Sequence, residues 1–370
     1  MRLLTIFLVA ILFSVGANFY AYKRFISKVD FLQPYLKFIR IAFFIIVPFE
    51  IIFFLQIRFD ILNLQGYLIA GTMVAFSWFL LFISLIYDIT KSILKKSKYN
   101  SNRRKFIKFC FDVTFVVLFA SYFLKGVFCA LTPPKVKHTN IKIRGLASGL
   151  RIALISDVHI GEFLQKEFMA TLVFQINEQR PDMVVIVGDL IDFDAQKIGD
   201  SLDPLKDLRS TYGTFYVPGN HEYYHGVRDI MVKISELGIK ILGNESISVG
   251  GINLAGVYDL AGFRFKHFEP DLEQALAGKD ESLPTVLLSH QPKFIKTMQK
   301  DVDLVLCGHT HAGQIFPFQL LVMIDQPYLY GLYKHNDKMQ VYVSSGAGFW
   351  GPPVRILAPS EIAILNLYGE

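Results

Sequence analysis

"RIALISDVH" (Arg151–His159) is the stretch on which the fold turns. Its apolar run, Ile152 to Ile155, reads as a strand buried on both faces, the kind found in parallel sheets. The run stops at Asp157 and His159, two side chains able to bind a cation. Leu164, Phe168, Leu172 and Ile176 then recur at helical spacing. Similar apolar runs follow in "MVVIVGD" (Met183–Asp189), "TFYVPGN" (Thr214–Asn220), "TVLLSH" (Thr285–His290) and "DLVLCGH" (Asp303–His309). "QVYVSSG" (Gln340–Gly346) and "EIAILNLY" (Glu361–Tyr368) read as further strands. Strands alternating with amphipathic helices predict an α/β layered domain. No internal repeat or low-complexity segment is evident.

Each run from Arg151 to His309 ends in polar ligand-type residues. They are Asp157 and His159; Asp189 and Asp192; Asn220, His221 and Glu222; His290; and His309 and His311. In α/β sheets ligands bind beyond the carboxyl ends of the strands, so five separated segments can supply one site. Extended backbone would turn Asp157 and His159, and likewise His309 and His311, to the same side. Glycines precede Asp189, Asn220 and His309, where a Cβ would obstruct the backbone. Carboxylate and imidazole donors without thiolate suit Mn, Fe, Zn, Co or Ni. Seven ligands are too many for one tetrahedral ion, and sharing Asp189 between two ions resolves the count. Paired ions of this kind clamp the attacking and leaving oxygens of a phosphoryl transfer.

The order D-x-H, G-D-x-x-D, G-N-H-E, a lone H and G-H-x-H resembles that of the calcineurin-like metallophosphoesterases, over most of residues 148–365. "GLRIALISDVHIG" and "SSGAGFWGPPVRILAPSEIAIL" are similar to the bacterial membrane-linked branch of that superfamily. The resemblance implies a four-layer α/β/β/α sandwich and two divalent cations per chain. It implies Asp157, His159, Asp189 and His311 on one ion, and Asp189, Asn220, His290 and His309 on the other. It places His221 by the leaving-group oxygen, oriented by Asp192. Glu222 stands where related sequences often have Asp, and is expected behind the ligands. The implied chemistry is in-line attack on phosphorus by a metal-bridged hydroxide, with protonated His221 donating to the departing alkoxide.

Five of the nine histidines fall in these blocks. His138, His225, His267 and His335 have no such setting and read as surface or packing residues. Phe349 and Trp350, with Pro352 and Pro353, form either a packed loop or an apolar lip for substrate.

The first third of the chain is a different material. Of 370 residues 52% are hydrophobic, and 34 are phenylalanine. Residues 1–131 carry 16 Lys and Arg against 5 Asp and Glu, and the remainder 22 against 27, so the formal +6 charge belongs to the apolar third. Apolar runs at about 3–22, 38–57, 66–87 and 109–131 each approach the ~20 residues needed to span a bilayer. Glu50, Asp112 and Lys125 lie within them; the last two read as end residues reaching for the interface, and Glu50 has no assigned role. "TPPKVKHTN" (Thr132–Asn140) breaks the last helix and serves as a linker. The predicted organisation is a bundle of about four transmembrane helices over 1–131, a linker and leading strand over 132–147, and a catalytic domain over 148–370.

Basic residues gather after the first run (Lys23, Arg24, Lys28, Lys37) and after the third (Lys91, Lys95, Lys96, Lys98, Arg103, Arg104, Lys105, Lys108). The positive-inside rule puts these loops in the cytoplasm, and with four spans the catalytic domain outside it. Three cysteines, Cys110, Cys129 and Cys307, form neither a disulfide framework nor a zinc motif.

The expected function is a membrane-anchored metallophosphoesterase acting on a phosphodiester or pyrophosphate, with a lipid-linked substrate suggested by the anchor. One alternative raised by the resemblance is UDP-2,3-diacylglucosamine pyrophosphatase of lipid A synthesis, a cytoplasmic step that conflicts with this topology. A non-catalytic phosphate-binding receptor or scaffold is the alternative of another class; the intact His221–Asp192 pair argues against it. Nucleic acid is disfavoured by the acidic balance of residues 132–370. The sequence names no protein partner.

Overall fold

A computed structural model describes residues 2–59, 62–94, 101–161 and 163–369. Within it the chain forms two compact units. One comprises residues 1–131 with two short returns, 315–317 and 351–356; the other comprises 132–314, 318–350 and 357–370.

The first unit is built from four long helices: α1 (Arg2–Arg24), α2 (Leu36–Phe59), α3 (Leu64–Leu94) and α4 (Ser101–Leu131). Among the described residues, three stretches are long and apolar enough to cross a membrane, Asp30–Gln56, Leu64–Ser92 and Asn102–Leu131. The sequence reading expected a fourth over 3–22; α1 covers that run as a helix, but it is not among the three. Lys95, Lys96 and Lys98, used above for orientation, lie outside the described residues, as does Asp60, which balances Arg58.

The core of this unit is aromatic: Phe25, Phe79, Tyr87 and Phe115 are buried together. Phe76 meets Phe119 edge-on at 5.0 Å, and Phe119 stacks on Phe123. Two buried carboxylates are paired. Glu50 is 1% exposed, and its two carboxylate oxygens accept from Asn18 Nδ2 at 3.2 and 3.0 Å. Asp112 does not reach for solvent as expected. It is fully buried, accepting from Tyr87 Oη at 2.8 Å and Lys108 Nζ at 2.6 Å, because Lys108 sits one turn before it. Lys125 is exposed.

The second unit holds two six-stranded sheets. The strands are β1 (Lys135–Lys142), β2 (Leu150–Ile155), β3 (Met183–Val187), β4 (Thr214–Val217), β5 (Lys240–Ile241) and β6 (Glu245–Val249). They continue with β7 (Ile252–Gly256), β8 (Thr285–Leu288), β9 (Leu304–Cys307), β10 (Gly331–Lys334), β11 (Gln340–Val343) and β12 (Glu361–Tyr368). The first sheet runs β1-β12-β2-β3-β4-β5 and the second β10-β11-β9-β8-β7-β6. In both, the central strands are parallel: β2, β3 and β4 in one, β7, β8 and β9 in the other.

Period-two alternation sorts the apolar runs between two cores. Ile152 and Leu154, Val185 and Val187, Val286 and Leu288, and Leu304 and Leu306 meet in one cluster fed by both sheets. The alternate residues of the second sheet, Leu287, Val305, Cys307, Val341 and Val343, pack on its other face with Phe294 and Ile295. Both faces are covered, which is why these strands read as unbroken apolar runs.

Helix α5 (Lys166–Glu178) buries Met169, Leu172, Val173 and Ile176. Leu164, expected on that face, lies before the helix and bridges to Ile160. The remaining helices are α6 (Asn220–Tyr224), α7 (Val227–Glu236), α8 (Ala261–Phe265), α9 (Leu272–Ala275) and α10 (Gln319–Asp325). Within 132–147, read as a linker and leading strand, β1 begins at Lys135 and pairs in parallel with β12. The β6–β7 hairpin was not foreseen; Gly250 and Gly251 join its strands, both with positive φ.

Candidate metal centre

Loops leaving the carboxyl ends of β2, β3, β4, β8 and β9 carry the candidate ligands. These loops are tight. Asp157, His159, Asp189, His309 and His311 have φ of 53°, 53°, 49°, 72° and 50°, the left-handed region that non-glycine residues seldom enter. The pairs Asp157/His159 and His309/His311 therefore do not converge by extended alternation, as the sequence suggested. Left-handed turns aim them, at a cost of order 1–3 kcal/mol each that the surrounding core must offset.

The motif glycines make room for this. A Cβ on Gly188, itself at φ +73°, would stand 2.5 Å from His290 Nδ1, and one on Gly308 would stand 2.5 Å from Asp157 Oδ2. Glu222 fixes the loops from behind. Fully buried, it accepts from four backbone amides: Gly219 at 2.7 Å, Asp189 at 3.0 Å, Leu190 at 2.8 Å and Ile191 at 3.2 Å. One carboxylate thus joins the β3 and β4 loops.

Three groups of donor atoms each lie within 4.8 Å: Asp157, His159 and His311; Asp189, His290 and His309; and His159, Asp192 and His221. His159 Nε2 and His311 Nε2 are 3.0 Å apart, and His311 Nε2 is 3.4 Å from Asp157 Oδ1. His290 Nε2 lies 3.1 Å from Asp189 Oδ2. His290 Nδ1 donates to Val187 O at 2.8 Å, which leaves Nε2 as the ligand atom. Asn220 Oδ1 is buried with no hydrogen-bond partner.

Asp192 does more than the sequence reading assigned to it. Its Oδ1 lies 2.7 Å from His221 Nδ1, the pairing the motif implied, and also 2.8 Å from His159 Nδ1. The same carboxylate therefore orients both a candidate ligand and the candidate acid.

Charge follows from these contacts. Burial opposes the imidazolium of His290, but Asp189 outweighs it and holds that group well above its usual range. Asp189, pushed up by burial, is nevertheless held well below the carboxylate range by His290 and His221. Burial and the neighbouring His290 press His309 down to about 3, so its imidazole is neutral. Asp192 is drawn down by His159 and His221 against the opposing effect of burial. His221 is raised to about 9, with Asp189 and Asp192 overcoming burial. The buried carboxylates thus draw positive charge to this spot. Neutral His309, opposed imidazole nitrogens and an unpartnered carboxamide oxygen are what divalent cations would satisfy.

Around His221 stands an aromatic wall that the sequence only hinted at. Trp350 meets it edge-on at 5.8 Å, Tyr224 lies at 5.3 Å and His225 at 6.5 Å. His225, set aside in the sequence reading, follows His221 by four residues across α6, a spacing that could have signalled a shared face. Phe349 and Trp350 part company: Phe349 is buried and packs toward Phe163, while Trp350 is 54% exposed.

Comparison with known proteins gives this arrangement relatives. Residues 150–313 match the family model described as calcineurin-like phosphoesterase. A metallophosphoesterase of Helicobacter pylori is 49% identical over 300 residues, 80% of each chain. One of Campylobacter jejuni is 39% identical over 367 residues, 98% of each chain. A Danio rerio protein described as a transmembrane protein with metallophosphoesterase domain is 36% identical, over 65% of this chain and 59% of its own.

Proposed function

The chain belongs to the metallophosphoesterase family and is a metal-dependent phosphoester hydrolase; from that premise we propose that it cleaves a lipid-linked phosphodiester or pyrophosphate at a site for two divalent cations. The observation that carries the pairing is the presence of two ligand triplets, Asp157–His159–His311 and Asp189–His290–His309. Asp157, His159, Asp189 and His311 would hold one cation, and Asp189, Asn220, His290 and His309 the other. Two such ions, when bound, supply activation of a water and stabilisation of charge on the phosphoryl oxygens.

The protein's own residues supply the remainder. With Nδ1 on Asp192, His221 presents Nε2 toward Asp189 Oδ2, 4.0 Å away, at the edge of the ligand cluster. Asp189 and Asp192 favour its protonated form against burial, and Asp192 would continue to do so beside bound cations, so a proton there could pass to the departing oxygen. The rings of Trp350 and Tyr224 flank His221 on that side. The lipid-linked class is supported by the helices that can cross a membrane. Basic residues between α1 and α2 and before α4 support a catalytic unit outside the cytoplasm.

The test is hydrolysis of bis-p-nitrophenyl phosphate by the full-length protein with added Mn²⁺, beside His221→Ala. Turnover that EDTA abolishes, and that the variant loses by about 10²–10⁴-fold, is the expected result. Phosphate binding with no turnover in the parent would instead favour a receptor. Topology reporters fused after Leu131 and at the C-terminus decide the side; a cytoplasmic signal at both would revive the nucleotide-lipid pyrophosphatase.

A further inference from the structure

Single exposed apolar side chains are ordinary, but a contiguous run of them calls for an occupant. In the catalytic unit one such run is α10, which has no buried residue. Phe318, Leu320, Leu321, Met323 and Ile324 are 45%, 59%, 50%, 59% and 79% exposed.

Its position in the chain is informative. The polypeptide passes between the helical and catalytic units at 131/132 and again at 314/315, 317/318, 350/351 and 356/357. Phe318, Trp350 and Leu357 are the catalytic-unit residues at three of those crossings, and each is 45–54% exposed. Hydrogen bonds join the crossings to one another. Gln314 Nε2 donates to Trp350 O at 2.7 Å, Trp350 N donates to Gln314 Oε1 at 3.0 Å, and Gln319 Nε2 donates to Leu357 O at 2.9 Å. At the far end of α10, Lys293 pairs with Asp325 at 2.5 Å and Lys296 Nζ donates to the Asp325 carbonyl at 3.2 Å. An apolar face with lysines at its rim is the composition of an element lying at a lipid interface.

We propose that α10, with Phe318 and Leu357, lies in the boundary between acyl chains and headgroups of the bilayer, and that the metal centre receives a phosphoester still anchored in that bilayer. The occupant is lipid because the apron is covalently continuous with residues 315–317 and 351–356, which belong to the unit with membrane-spanning helices. Trp350 belongs to both features, hydrogen-bonded through its backbone to Gln314 and edge-on to His221 through its ring. This inference rests on the membrane-spanning and phosphoesterase readings above.

The experiment uses the full-length protein in phosphatidylcholine–phosphatidylglycerol liposomes, with Cys110 and Cys129 replaced by Ala and buried Cys307 retained. An environment-sensitive fluorophore is attached at Ile324→Cys or, as a control, at Val232→Cys, a 55% exposed position on α7. The label at 324 is expected to be quenched by spin-labelled phosphatidylcholine and shielded from iodide, and the label at 232 to show the reverse. Iodide quenching at 324 overturns the proposal, and so does shielding from both quenchers, which would mean a protein surface such as a second copy covers α10. In parallel, Leu321→Ser/Ile324→Ser should lose about tenfold on phosphatidyl-p-nitrophenol in liposomes while keeping its rate on soluble bis-p-nitrophenyl phosphate within about twofold. Equal rates on the liposomal substrate count against the proposal. If the parent hydrolyses neither substrate, the phosphoesterase reading fails, and the quenching pattern still decides where α10 lies.

Discussion

The helical unit and the catalytic unit both bury charged groups among donors, but the catalytic unit also gathers carboxylate, imidazole and carboxamide atoms at one place. Glu50 and Asp112 face donors: Asn18 for one, Tyr87 and Lys108 for the other. Asn18 is itself held by Ser77, whose hydroxyl donates to its Oδ1 at 2.9 Å. In the catalytic unit ligand-type atoms converge: His159 Nε2 lies 3.0 Å from His311 Nε2, and Asn220 Oδ1 has no hydrogen-bond partner. Backbone strain divides the same way. The candidate ligand residues with positive φ all belong to the catalytic unit, and among the described residues of the helical unit only a glycine, Gly351, has positive φ. Saturated buried charge suits a scaffold, whereas ligand-type atoms converging on strained backbone suit a candidate cradle for cations.

That contrast can be broken, most sharply at Asp189. Asp189→Asn should lower phosphoesterase rate by on the order of 10³-fold. It should also lower the cation content measured by elemental analysis, and full occupancy in the variant would remove the case for a shared ligand. Glu222→Ala leaves four buried amides unpaired and should cost about 4 kcal/mol of stability, read as a drop in thermal midpoint. An unchanged midpoint would mean that the loops hold themselves.

Asp192→Asn tests the double duty of one carboxylate. Because it frees both His159 and His221, metal affinity should weaken by about 10–100-fold, as for other outer partners of a ligand. A rate loss with unaltered affinity would confine Asp192 to His221.

The His221 titration sharpens the electrostatic side. In metal-stripped protein its imidazole, raised by Asp189 and Asp192, should stay protonated below about 9 and lose its proton above, followed by NMR with labelled histidine. Added Zn²⁺ offsets the Asp189 charge and should lower that midpoint. An imidazole already neutral at pH 7 without metal would contradict the geometry. The smallest effect is expected in the other region. Glu50→Gln keeps a side chain able to pair with Asn18, so metal-dependent turnover should change by less than about twofold. A large loss of turnover would show that the membrane carboxylate takes part in function and would erase the distinction between the two units.

Much of this was legible in the chain. The five strand-end blocks bring the candidate ligands together because parallel strands deliver their carboxyl ends to one edge, and that follows from apolar runs and their terminators. What the residues did not disclose was the means of convergence, since extended alternation and left-handed turns both bring i and i+2 together. Nor could spacing reveal that Asp192 serves His159 as well as His221, a contact spanning 33 residues. Asp112 was misread for a related reason: an ionisable residue in an apolar helix looks alike in sequence whether it reaches water or meets a lysine one turn away.

By itself, then, the order of residues determined the apolar helices, the layered α/β unit and the roster of candidate ligands, because hydrophobic periodicity and side-chain chemistry are local properties. Tertiary structure alone decided which imidazole nitrogens meet, which carboxylate serves two imidazoles, and that α10 and Trp350 are exposed while Phe349 is not. Those outcomes depend on distances between segments far apart in the chain, and no local pattern encodes a distance.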